Sequence, residues 1–140
     1  MFKIINLEET NNKVNRDTGN QMIIDICDYI KEKLSKEYIF VRYMGPKFVI
    51  AFSGVEVDGV IEFLEDLKKE VENLKIEDVV AVEANEKNTG KKKKKVVMTS
   101  PKINIVLTSY YKGTALEKVL KKLEEYVDAA EAKESDINNI

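Results

Sequence analysis

Histidine is missing altogether from the 140 residues, and cysteine occurs once, at Cys27. Without histidine the chain cannot assemble a Ser-His-Asp triad, a Cys-His pair or a histidine-ligated metal. A single cysteine excludes an internal disulfide framework and a thiolate zinc cluster. No apolar run approaches the ~18 residues of a membrane span, and the opening Met1-Phe2-Lys3-Ile4 lacks a signal-peptide pattern. A surplus of one charge is lacking too, since 23 Lys and Arg against 25 Asp and Glu leave a formal net charge of −2. Global attraction to nucleic acid or anionic lipid is therefore not supported. What remains for chemistry is carboxylates, lysines, hydroxyls and backbone amides.

Hydrophobic residues at 44% and charged residues at 34% describe a globular chain with a solvated surface. The length suits one domain, 1–140, with a core that needs no staples. Phe2 to Leu7 reads as a short strand. The stretch from Glu8 to Asn20 is polar, and then Met22, Ile23, Ile26, Ile30 and Leu34 recur at helical spacing, predicting a helix over 21–36. Tyr38–Tyr43 and Phe48–Phe52 are β-rich runs joined by Met44-Gly45-Pro46-Lys47, a hairpin signal with a mechanism: glycine permits unusual backbone angles and proline fixes one. Alternation along the second run sets Phe48, Ile50 and Phe52 on one side and Val49 and Ala51 on the other, as in a strand covered on both faces. A second helix is expected over 59–74, capped by Asp58, with Val60, Phe63, Leu64, Leu67, Val71 and Leu74 inward.

Val79–Val82 and Lys95–Met98 read as two strands. Between them a lysine-rich flexible insertion is expected over 85–95, holding Asn88-Thr89-Gly90 and the five lysines Lys91 to Lys95. Ile103–Thr108 follows as a further strand. A helix capped by Thr114 is expected to run to Ala132, with a tail to Ile140. The order predicts an α+β fold: a mainly antiparallel sheet with helices on one face and a ferredoxin-like βαββαβ core. Asp25, Asp28, Glu124, Glu125 and Glu131 read as solvated helix faces, and Cys27 as a small packed hydrophobe.

The run Arg42-Tyr43-Met44-Gly45-Pro46-Lys47-Phe48 resembles the signature hairpin of the GGDEF, or diguanylate cyclase, family, written Arg-Tyr-Gly-Gly-Asp-Glu-Phe. Three further segments resemble the family in its order: Val14-Asn15 with Gly19-Asn20, Asn104 to Thr108, and Tyr126 to Lys133 continuing to Asn138. The resemblance implies a nucleotidyl cyclase-like fold and, in active relatives, two acids that hold Mg²⁺ against GTP. Those two positions fall here on Asn6 and on Pro46-Lys47. The family's guanine-reading pair falls on Asn15 and about Ile24, and its phosphate-binding pair on Lys133 and about Ile137. The family's product-inhibition motif would lie near Ser35 and Tyr38 and is absent. Glu8 or Glu9 stands open as a displaced acid.

The implied reading is a degenerate member with no catalytic residues, no metal and no cofactor, excised from a larger cytoplasmic signalling protein. Its expected partners are proteins or neighbouring domains, a second copy, or GTP held by Asn6, Asn15 and Lys133. The alternative is a divergent cyclase acting on GTP with Mg²⁺. A docking domain without ligand, using the hairpin or a sheet edge, is the third.

Overall fold

The computed structural model describes the backbone of residues 1–82, 93–129 and 137–140, with side chains for all of these except 78–82 and 93–95. In chain order the elements are β1 (Phe2–Ile4), α1 (Leu7–Lys13), α2 (Arg16–Lys33), β2 (Ile39–Arg42) and β3 (Lys47–Ala51). They continue with α3 (Val57–Glu72), β4 (Ile76–Val82), β5 (Lys93–Thr99), β6 (Ile103–Leu107), α4 (Leu116–Ala129) and β7 (Asn138–Asn139).

Five strands form one sheet in the order β2-β3-β1-β6-β7. Phe2 of β1 stands opposite Phe48 of β3 on one side and Ile105 of β6 on the other, both pairings antiparallel. The four strands β2-β3-β1-β6, with α2 and α3 between them in sequence, are the expected βαββαβ core. β7 adds a short parallel edge beside β6, where the sequence suggested only a tail.

The helices cover both faces of this sheet, not one as expected. Met22, Ile26 and Ile30 of α2 join Val60, Leu64, Leu67 and Val71 of α3 in a core with Phe2, Phe48, Ile103 and Ile105. On the opposite face Leu123 and Val127 of α4 pack on Met1 and Val106. The alternation of β3 explains the arrangement: Phe48, Ile50 and Phe52 belong to the first core, while Val49 borders the second. Three rings stack in the first, Phe2 on Phe48 at 4.9 Å and Phe48 on Phe40 at 5.9 Å between centroids.

Other boundaries shift for identifiable reasons. The polar stretch after Leu7 is helical, because Glu8 and Glu9 suit the positive end of a helix dipole, Lys13 suits the negative end, and Glu9 pairs with Lys13 at 2.7 Å. Asn15 caps α2 five residues ahead of the expected start, its Oδ1 accepting from Thr18 N at 2.8 Å. Asp58 lies inside α3, whose N-cap is Glu56, and α4 takes its first backbone bonds on the carbonyl of Ala115 and not of Thr114. β4 and β5 form a separate two-stranded ribbon, and β5 begins at Lys93, so Lys93 to Lys95 are strand and not loop. The remainder of the expected insertion lies outside the described residues, as does the stretch from 130 to 136. No helix among the described residues is long and apolar enough to cross a membrane.

Candidate functional site

Gly45 has φ of 53°, in the left-handed region that favours glycine, and the turn is closed by Lys47 N donating to Met44 O at 3.0 Å. Arg42 Nε braces it by donating to Gly45 O at 2.9 Å. Pro46 O accepts from Ile4 N at 2.9 Å, which seats the hairpin turn beside the end of β1. There β1, α1, the start of α2 and Pro46 surround an open cleft of about 510 Å³. Its polar lining residues are Lys3, Glu8, Asn11, Asn12 and Arg16, of which Lys3 turns its ammonium away to Asp128, 3.1 Å distant.

Asn6 and Asn15 border this region but do not line the cleft. The amide of Asn6 is spent within the fold: Nδ2 donates to Ser100 O at 2.8 Å, and Oδ1 accepts from Lys102 N at 2.9 Å. Asn15 accepts from both Thr18 N and Thr18 Oγ1, at 2.8 and 3.1 Å. Of the two candidate acids, Glu8 lines the cleft, whereas Glu9 turns to Lys13. That hydrogen bond with Lys13, and the lysine's charge, hold Glu9 below its usual carboxylate range. Met44 is exposed at the turn and Phe48 is buried in the core. Lys133 lies outside the described residues.

Lys47 faces away from the cleft, onto α4. Its Nζ reaches Glu124 Oε1 at 2.9 Å and Asp128 Oδ2 at 3.0 Å, with its side chain only 12% exposed. Asp128 also accepts from Lys3 Nζ at 3.1 Å, and Tyr43 OH donates to Glu124 Oε2 at 3.4 Å. Burial alone would push Lys47 down, but bonds to Glu124 and Asp128 outweigh it and raise its pKa above the ordinary 10.5. Burial would likewise push Asp128 up, yet Lys47 and Lys3 outweigh it and hold the carboxyl below 3.8. Glu124 is thus part of a charged cluster and not a solvated face.

Sequence reasoning missed this cluster, because its members come from three distant segments. The signal was there in part, since Glu124 and Asp128 are spaced i,i+4 and share one side of a helix. It also missed Asn11, Asn12 and Arg16, which lie in the polar stretch 8–20 where no helical period shows. Beside the cluster Asn104, 1% exposed, buries an Nδ2 with no hydrogen-bond partner. Among the described residues no three acidic or thiol side chains converge as metal ligands would.

No protein-family model matches the sequence, and no curated protein does. Solved structures that share its fold include the following two. One is the diguanylate cyclase SiaD from Pseudomonas aeruginosa in complex with its activator SiaC, at a TM-score of 0.74 and 14% identity over 99% of this chain. The other is the GGDEF domain of DgcB from Caulobacter crescentus in complex with c-di-GMP, at a TM-score of 0.67 and 16% identity, also over 99%. The chain spans 47% of the SiaD chain and 74% of the DgcB one. The likeness shows a GGDEF-like fold.

Proposed function

We propose that this chain is a non-catalytic signalling module on a diguanylate cyclase scaffold, working through contact with a protein partner or neighbouring domains. The observation that carries the reading is the hairpin, where Pro46 meets the cleft and Lys47 is engaged by Glu124 and Asp128. Joining two GTP molecules into a cyclic dinucleotide is phosphoryl transfer, which depends on metal ions held between carboxylates and phosphates. The cleft offers one carboxylate, Glu8, and proline has no ligand atom to add. Those donors do not fit Mg²⁺. SiaD, whose chain includes this fold, was crystallised with its activator, a precedent for protein partnering by a protein that carries it. A cytoplasmic setting goes with the same reading.

A second reading, metal-independent binding of a nucleotide such as GTP, is favoured by the cleft itself. Arg16 brings positive charge, and Asn11 and Asn12 bring amides. Asn6 and Asn15 already serve backbone partners, so recognition in this reading falls to the cleft side chains. The test is incubation with GTP and Mg²⁺ followed by mass spectrometry, together with calorimetric titration of GTP with and without the metal. No cyclic dinucleotide above background is expected. Product that disappears in a Glu8→Gln variant would instead establish a divergent cyclase. Heat of binding that is independent of Mg²⁺ would favour the nucleotide sensor.

A further inference from the structure

We infer that the free edge of β2 is a self-association surface, pairing antiparallel with β2 of a second copy of this chain. The edge is open: among the described residues β2 pairs with β3 alone. Tyr43 N donates to Lys47 O, and hydrogen-bonded pairs alternate along an antiparallel ladder, so the N–H and C=O groups of Phe40 and Arg42 point outward. An edge of this kind is ordinarily blunted by lysine, proline, a bulge or shortness. The opposite edge, β7, is two residues long. β2 reads Ile-Phe-Val-Arg, and its one charge is bent back onto Gly45 O.

The side chains say what fits there. Ile39 is 63% and Val41 47% exposed, both on the α4 side of the sheet and beyond the helix that covers its middle. A two-fold axis at Phe40 lets the two Phe40 residues exchange both backbone bonds. The same register sets Ile39 against Val41 of the other copy twice over, Tyr38 against Arg42, and continues the Phe2–Phe48–Phe40 ring stack across the axis. A strand whose apolar residues meet apolar residues when it pairs with itself is isologous, which favours a second copy over an unrelated peptide. The contact involves roughly six residues a side, against about 20–30 in a standard interface, so the dimer is weak and concentration-dependent. This deepens the interaction-module reading and rests on it, but product formation tests that reading and molecular mass tests this one.

Analytical ultracentrifugation of the full chain between about 5 µM and about 500 µM should show the average mass climbing toward twice the monomer. Ile39→Lys with Val41→Lys, and separately Ile39→Glu with Val41→Glu, should each stay monomeric at every concentration. An equimolar mixture of the two variants should regain the dimer, which also shows that both fold. A wild-type chain that remains monomeric throughout overturns the inference and leaves the edge to a foreign strand. So does a lysine variant that still dimerises, or a mixture that does not.

Discussion

A lysine in a hairpin turn ordinarily keeps its ammonium in water. Lys47 instead lays it between Glu124 and Asp128, with Lys3 balancing the second carboxylate. Glu124 and Asp128 are 30% and 43% exposed, so solvent screens part of the attraction. Lys47→Met, which keeps the stem and removes the charge, should lower stability by about 1 kcal/mol in urea unfolding. Lys47→Glu should lower it by about 2–3 kcal/mol, since three carboxylates would then share the site. Equal losses would show that packing and not charge holds α4 there. The pH signs follow from the two shifts. The Asp128 contribution is present above its unfolded pKa and lost as acid passes the lowered folded value; that of Lys47 is lost only as pH rises beyond 10.5.

At the scale of elements, α1 rests on α2 through Gly19, where a Cβ would overlap Asn11 Oδ1. That oxygen is buried and has no hydrogen-bond partner, so the contact is steric. Gly19→Ala should therefore lower stability by about 1 kcal/mol through overpacking. In an Asn11→Ala background the same change should raise it by about 1 kcal/mol, as alanine is the better helix former. A double-mutant cycle in chemical denaturation reads both signs, and additive effects would contradict the packing. α2 and α3 were legible because Met22, Ile26 and Ile30, or Val60, Leu64 and Val71, repeat at the helical period. The hairpin was legible from Gly45-Pro46 between two β-rich runs. α1 was not, because a seven-residue helix with Leu7 as its one large hydrophobe has no period to show. Of the described site residues named from the sequence, only Pro46 and the candidate acid Glu8 line the cleft. Its lining from Asn11, Asn12 and Arg16 and the outward swing of Lys47 depend on α1 and on which sheet face α4 takes, and neither leaves a local pattern.

Across the whole molecule, the N-terminal amine of Met1 is buried and donates to Val106 O at 2.9 Å. Burial lowers its pKa from 8.0 to about 5. Between those values the unfolded chain binds a proton that the folded chain does not, so stability rises with pH across that window. With no histidine to titrate there, urea midpoints of the 140-residue chain should climb from pH 5.5 to pH 8.0. Acetylating the amine should flatten the climb, and a flat profile without acetylation would place the amine in solvent. The same first strand lies at the middle of the sheet, its two neighbours drawn from very different distances along the chain. β3 is available once the hairpin exists, but Ile105 must arrive before Phe2 has its second partner. During synthesis the first core can begin to assemble from β1, α2 and the hairpin, whereas Val106, Leu123 and Val127 come last. A nascent chain stalled before β6 therefore carries a central strand paired on one side only, and protection from proteolysis should appear abruptly once β6 and α4 have emerged.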